Sequence, residues 1–453
     1  MYMTFVLRHR AFAAALLLAA ALRVLVMLGY DTATVYWYDS FTYLDTAVRM
    51  RPGHAFHPAG YSAFLWLMRP FHSVEVVAAV QHAIGLGVAA LMYALLRSRG
   101  LPGWGATLAA LPVLFDPSFV RLEHAILSDL QVIALVMAAL FLLARRETVS
   151  VRAAAAAGLL LALAGLTRTA AVPLLGIAAL WLLLRRVTRR PALALIVAGA
   201  LPLLGYAGWY ASHHGRFALS GSDGVALWAR TMTFADCSVI QPPPEEAKLC
   251  PNGTVVDAAS EYVWAADASL NRLPGDRFQY NDLARSFALR AIAAQPLDYL
   301  REVARDTALA FTWEPVPHPQ RIRPSSTFPY GRWNVPENDL VQRVRATYDP
   351  DIRGMRSVEP WGSLLAAYPY PWFLHGTLFG VILLTGLLGG RRSLLPWAFA
   401  AFLLVGPVAA LDFDHRYVLP AIPPACVAAA LAVHRLPRTR YRAARRERTT
   451  VPV

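Results

Sequence analysis

A run of about 20 apolar residues is long enough to cross the hydrocarbon core of a bilayer, and roughly ten such runs can be counted in this chain. Some are short or interrupted; they fall within 11–29, 74–96, 103–116, 125–144, 152–167, 170–184, 191–210, 365–389, 393–411 and 417–434. Hydrophobic residues make up 57% of the 453 and charged ones 16%, too little polar surface for a soluble fold of this length. The expected class is an all-α polytopic membrane protein. Its formal charge of +14 does not signal nucleic acid, because the arginines sit in short runs between apolar segments rather than along one face.

Those runs read as topology signals. Arg8/Arg10, Arg97/Arg99, Arg145/Arg146/Arg152, Arg185/Arg186/Arg189/Arg190, Arg391/Arg392 and the stretch from Arg435 to Arg448 all fall on one side if the spans alternate. The positive-inside rule makes that side the cytoplasm. The N-terminal run also has the look of a signal peptide. An uncleaved first span is preferred, since no Ala-x-Ala site follows and cleavage would invert the charge pattern downstream. The stretch 55–71, with Pro58-Ala59-Gly60-Tyr61, is too short and interrupted to cross and is expected in the interface or as a re-entrant piece.

The expected organisation is an N-terminal transmembrane module over 1–210, an extracytoplasmic domain over 211–364 inserted between spans seven and eight, C-terminal transmembrane helices over 365–434, and a basic cytoplasmic tail over 435–453. The inserted domain is aromatic and proline-rich, with helical spacing over 284–312: Leu289, Ile292, Leu297, Leu300, Val303, Leu309 and Phe311 against Arg290, Arg301, Glu302 and Arg305. That stretch could lie along the membrane surface. Cys237 and Cys250 fall in this domain, where an oxidising exterior would allow a disulfide. Cys426 lies in a span and reads as a small core residue. Asn252-Gly253-Thr254 matches a glycosylation sequon, a weak pattern.

Acidic and cationic groups gather where spans meet the external face. The first external loop runs Tyr38-Asp39-Ser40-Phe41-Thr42-Tyr43-Leu44-Asp45. Asp39 and Asp45 are six positions apart and would not share a helix face, so only one can point into a common site. Asp39 is preferred, following Tyr36, Trp37 and Tyr38, which could bound a sugar or anchor a helix; simple helix capping by Asp39 is the other reading. Asp129 opens the fourth span, where an unpaired carboxylate is costly and needs a partner: Arg121, His124, a metal ion or helix-start amides. Asp412-Phe413-Asp414-His415-Arg416 opens the last span. The planar guanidinium of Arg416 suits a phosphate, the alternative being pairing with Asp412 or Asp414. Arg168, at another external tip, is a second phosphate candidate. His54, His57 and His124 do not have HxxxH or HExxH spacing, so the cofactor reading extends only to a possible divalent metal ion.

Taken in order, these residues resemble the polyprenyl-phosphate-sugar-dependent glycosyltransferases of the GT-C fold, especially the bacterial family 39-like branch related to protein O-mannosyltransferases and the lipid A aminoarabinose transferase. The resemblance rests on the tyrosine-rich loop with Asp39, His57-Pro58-Ala59-Gly60-Tyr61, Leu127-Ser128-Asp129, Gly215 to Ser220, Gln295 to Leu300, and His415-Arg416-Tyr417-Val418-Leu419-Pro420. It implies Asp39 as the base that deprotonates an acceptor hydroxyl for inverting attack. Asp129 would orient the acceptor or help hold a metal, and Arg416 with Arg168 would bind the departing lipid phosphate. Substrate contacts are implied for Tyr38, Tyr43, His57, Tyr61, Glu123, His124 and His415. Partners would be a polyprenyl-phosphate sugar, a glycan, glycolipid or protein acceptor, and membrane lipids. The setting would be the bacterial cytoplasmic membrane with an extracytoplasmic site. Ser40 stands where the family's loop often has a second acid. A lipid-linked-sugar transporter would call for polar residues deep in several spans or repeated halves; Arg23 is the main mid-span charge. A non-catalytic assembly subunit would leave Asp39, Asp129 and Arg416 unexplained.

Overall fold

The computed structural model describes residues 2–53, 57–185, 189–322, 326–368 and 373–434, without the side chains of 2–8, 37 and 38. The basic tail and the side chain of Tyr38 therefore lie outside the described residues. The first part of the chain folds into α1 (Tyr2–Gly29), α2 (Trp37–Arg49), α3 (Gly60–Met68), α4 (Val74–Ser98), α5 (Gly103–Phe115), α6 (Pro117–Glu123), α7 (Asp129–Ala144), α8 (Val151–Thr167), α9 (Pro173–Leu184) and α10 (Arg189–His214). The middle carries α11 (Asp223–Thr231), α12 (Cys237–Ile240), α13 (Pro244–Ala247), α14 (Asn281–Ala294), α15 (Pro296–Ala308), α16 (Asp339–Thr347) and α17 (Trp361–Ala366). The last part is α18 (Gly376–Leu387), α19 (Leu394–Ala410), α20 (His415–Val418) and α21 (Ile422–Val433). The protein is all-helical, with no β-strand among the described residues.

Among the described residues four stretches are long and apolar enough to cross a membrane: His9–Gly29, Val74–Ser98, Arg189–His214 and His415–Val433. Six further apolar helices are shorter, at 10–17 residues. Outward leucines such as Leu17, Leu18, Leu201 and Leu204 are well exposed, a surface that acyl chains accept and water does not. Helix starts are marked by side-chain caps. Ser73 Oγ accepts the Val76 N–H at 3.3 Å and Ser150 Oγ that of Ala153 at 3.2 Å.

Two sequence expectations need correction. The helical spacing over 284–312 is broken at Pro296, which cannot donate within a helix and instead takes the first turn of α15. The buried face of α14 is Ala284, Phe287, Ala288 and Ala291, packed on α11, while Leu289, Leu297 and Leu300 are exposed. The apolar run at 365–389 likewise is not one helix. α17 ends at Ala366 and α18 starts only at Gly376, with Pro369 and Pro371 in the sequence between.

Arg23, the mid-span charge, has a structural task. Its terminal nitrogens donate to the carbonyls of Ala19 (3.1 Å), Val113 (3.1 Å) and Leu114 (2.8 Å) and to Glu123 Oε1 (2.7 Å), joining α1, α5 and α6. The other Glu123 oxygen meets His82 Nδ1 at 2.8 Å. Gly85 on α4 makes the room, since a Cβ there would stand 1.9 Å from Glu123 Oε1. Removing Glu123 would leave a buried guanidinium unpaired, so Glu123→Ala is expected to lower stability by about 3–5 kcal/mol. Thermal unfolding in detergent reads this directly, and an unchanged midpoint would sink it.

In the middle segment, Trp228, Leu249, Leu270 and Phe287 centre a separate small core. Cys237 and Cys250 are disulfide-bonded at its edge, with Cα atoms 6.1 Å apart. Closing a loop of this size stabilises by about 3 kcal/mol through the unfolded chain. Cys237→Ser with Cys250→Ser should lower the thermal midpoint, and mild reductant should reproduce the loss in the unmutated protein but add nothing to the double variant.

Candidate active site

The geometry begins with a backbone clamp. Thr34 N–H donates to the His124 carbonyl and the Ile126 N–H donates to the Thr34 carbonyl, each at 2.9 Å. This ties the chain just before α2 to the chain just before α7, so the first acids of both helices approach one face. Ser40 strengthens the join: buried completely, its Oγ accepts the Tyr36 N–H at 2.6 Å and donates to the Ile126 carbonyl at 2.8 Å. A second acid at Ser40 would put a charge into that join.

Asp39 does not cap its helix; the N-cap position is Tyr36. Its carboxylate oxygens instead face His57 Nε2 at 3.3 Å and Arg416 Nη1 at 3.2 Å. Burial pushes the Asp39 carboxyl up, but the hydrogen bond and charge of His57, then the charges of Arg416 and Arg168, outweigh it and hold the group well below the usual carboxylate range. A relay of polar contacts continues from His57 Nδ1 to the Tyr43 hydroxyl at 3.1 Å and from there to Ser128 Oγ at 2.8 Å. With Asp39 ionised, the Nε2–H of His57 donates to it while Nδ1 meets the Tyr43 hydroxyl.

Asp129, 1% exposed, is compensated by arginine rather than by the helix start. It forms an ion pair with Arg168, and its second oxygen lies 3.9 Å from Arg416 Nε. Arg168 reaches it because α3 packs against the end of α8. Gly60 permits that approach, a Cβ there standing 2.5 Å from the Leu166 carbonyl oxygen. Arg416 thus spans both carboxylates. Tyr417 stacks beside both cations, 4.7 Å from Arg168 and 5.5 Å from Arg416, and Tyr36 lies 5.4 Å from Arg416. Neither Asp412 nor Asp414 takes the Arg416 side chain. Asp414 caps α20 by accepting the Arg416 backbone N–H at 2.9 Å, and Asp412 faces His318 at 2.9 Å.

Arg416 and Tyr36 also line a cavity of about 300 Å³. Its polar wall includes Tyr30, Arg121, His124 and His415; its apolar wall includes Val26, Leu309, Phe379 and Ile422, from helices on both sides of the bundle. His415 Nε2 donates to the Val316 carbonyl at 2.7 Å, holding the loop after α15 across this opening.

Of the sequence-selected residues, Asp39, Tyr43, His57, Asp129, Arg168 and Arg416 come together, and His124 and His415 line the adjoining cavity. Glu123 does not join them, and Tyr61 meets them only through its ring, edge-on to Tyr43 at 5.0 Å. Glu123 is consumed by Arg23 and His82, and the Tyr61 hydroxyl is buried, donating to Gln81 Oε1 at 2.8 Å, so both support the interior instead of a substrate. Asp45 points away, paired with Arg49 at 3.1 Å and Arg343 at 3.5 Å. Sequence reasoning missed Ser128 and Tyr417 as site members, although each directly adjoins a selected residue.

Among the described residues one group offers metal-binding chemistry: Asp306, His318 and Asp412, whose ligand atoms lie within 4.8 Å of one another. Asp306 is already ion-paired with buried Arg230, and Asp412 accepts from His318 and from the backbone of Ser260 and Phe413. The set already has partners of its own and ties the middle segment to the turn before α20, so its residues fit a structural network better than a cation site.

The fold and site define an all-helical protein with membrane-spanning helices and a buried carboxylate–arginine cluster beside a cavity. No protein-family model matches the chain, and no curated protein does. Among solved structures it is similar to ArnT from Cupriavidus metallidurans in the apo state, at 14% identity over 93% of this chain and 77% of that one, with a TM-score of 0.37. The same protein bound to undecaprenyl phosphate gives 14% identity, 93% and 76% coverage and the same TM-score of 0.37. The Archaeoglobus fulgidus oligosaccharyltransferase in the apo form is also similar, at 13% identity over 96% of this chain and 52% of that one, with a TM-score of 0.40.

Proposed function

We propose that this protein is an integral membrane glycosyltransferase that moves a sugar from a polyprenyl-phosphate donor to an acceptor hydroxyl, with inversion. The observation that carries the reading is Arg416, held between Asp39 and Asp129 and lining a cavity whose walls are largely apolar. A lone ion pair at a helix end needs no such cavity, and a lipid phosphate needs both the cation and the apolar wall. The proposed setting is ten spans, with the 211–364 segment and the site on the extracytoplasmic side of a bacterial cytoplasmic membrane, a reading supported by the arginine clusters of the other face.

In the proposed step Asp39 accepts the proton of the acceptor hydroxyl, and the hydroxyl oxygen forms the new bond to the anomeric carbon. The bond from that carbon to the phosphate oxygen breaks, its electron pair staying with the lipid phosphate. Arg416 and Arg168 face the charge that grows there. In the free protein Asp39 is a weak base because Arg416 and His57 stabilise its anion. A phosphate that draws Arg416 away would raise its basicity when donor is present, coupling donor binding to acceptor activation. His57, braced by Tyr43, keeps the carboxylate oriented. Asp129 holds Arg168 in place and is within reach to orient the acceptor. The acceptor could be a glycan, a glycolipid or a protein.

The test is sugar transfer by the purified protein from a panel of synthetic polyprenyl-phosphate sugars, paired with donor binding. Turnover with one donor supports the reading. Neither turnover nor binding with any of the panel would overturn it in favour of a transporter or an assembly subunit.

A further inference from the structure

The cavity contains a second guanidinium to which the transfer step assigns no role. Arg121, on α6, lines the same cavity as Arg416. Its Nη1 donates to the Thr327 carbonyl at 2.7 Å, and among the described residues no carboxylate lies within 4.0 Å of it. The other arginines near the site each have one: Glu123 for Arg23, Asp129 for Arg168, Asp39 for Arg416. The carboxylates that line the cavity, Asp116 and Asp414, are engaged elsewhere. Asp116 accepts the Ser118 and Leu374 N–H groups, both at 2.7 Å, and Asp414 accepts the Arg416 N–H.

Arg121, Arg416 and Tyr36 line one cavity, and the Arg416 guanidinium lies 5.4 Å from the Tyr36 ring. A guanidinium kept beside apolar walls without a counter-charge is unfavourable until an anion joins it. Leu122, Leu309, Leu419 and Ile422 line the rest of the cavity, so the anion that fits carries an apolar tail.

Resting on the transferase reading, we propose that Arg121 is a further phosphate-binding residue, gripping the phosphate of the polyprenyl carrier from its own place in the cavity wall while Arg416 engages it from the Asp39 side. Arg121 then sets affinity for the phosphorylated lipid, whereas Arg416 acts in both binding and transfer.

The experiment measures binding of farnesyl phosphate, farnesol and inorganic phosphate to the full-length protein in detergent, for wild type, Arg121→Gln, Arg121→Lys and Arg416→Gln, each checked for an unchanged thermal midpoint. The expected result is that Arg121→Gln weakens farnesyl phosphate binding about tenfold, the loss of one charge-assisted hydrogen-bonding partner. Farnesol binding should be unchanged and Arg121→Lys should recover part of the loss. Equal farnesyl phosphate affinity in wild type and Arg121→Gln, with Arg416→Gln weakened, overturns the role of Arg121 and leaves the transferase reading standing. Wild type that binds farnesol as tightly as farnesyl phosphate overturns both. Inorganic phosphate that binds as tightly as farnesyl phosphate, and is lost equally in Arg121→Gln, marks a free-anion site and overturns the carrier assignment. Should Arg121→Gln fail to fold, Arg121→Lys with farnesyl phosphate against farnesol decides: a loss confined to the phosphorylated lipid supports the proposal, and no loss overturns it.

Discussion

Asp39→Asn is expected to lower sugar transfer by about 10²–10⁴-fold while donor binding persists, the usual scale for losing a positioned general base. The amide has nearly the shape of the carboxylate and can still accept from His57, so the loop should hold its conformation. What disappears is the ability to take a proton. The charge lost from Asp39 also frees Arg416 from one partner, so donor affinity should hold or rise. Measuring turnover and donor binding on the same preparations separates the two effects. Full activity in Asp39→Asn would remove Asp39 as the base and move the search to Asp129. The pH profile adds a second reading. Because Arg416 and His57 hold the Asp39 carboxyl low, the acid limb of kcat/KM, which reports the free protein, should not show an ordinary carboxylate ionisation.

Arg416→Gln is expected to cost about 10²–10³-fold in kcat, the scale of losing one preorganised donor to a developing anion. It should also weaken donor binding, since the guanidinium is proposed to contact the phosphate before and during bond breaking. Its removal takes a cation from beside Asp39, which raises the tendency of that carboxylate to hold a proton. The acid limb of the remaining activity should therefore move upward in pH. A drop in activity with donor affinity and acid limb both unchanged would mean that Arg416 serves packing instead of phosphate. Arg416→Lys should recover little, because a lysine offers a point charge where the geometry uses a planar fork reaching two carboxylates.

The apolar runs and the absence of polar surface were enough to specify an all-helical chain that lives in a membrane, because composition and period act locally and no long-range contact is needed to read them. The same reasoning marks Asp39, Asp129, Arg168 and Arg416 as groups in need of partners, because charge beside apolar stretches is costly wherever the chain folds. Which partner each found was decided only by the tertiary structure. Arg416 had Asp412 and Asp414 as close sequence neighbours, yet its side chain turns to Asp39, 377 positions away, because Asp414 is used in capping α20 and Asp412 in holding His318. Glu123 looked like a member of the site from its place beside His124, and packing sent it inward to Arg23 across a gap that Gly85 leaves open. Helix ends followed the same division. Pro296 broke a pattern that apolar spacing alone made continuous, and the buried face of α14 became its alanines and Phe287 because α11 lies against them, a choice that depends on what sits opposite and not on the strip itself. Local chemistry determined which groups could not stay alone, and the three-dimensional packing determined the company they keep.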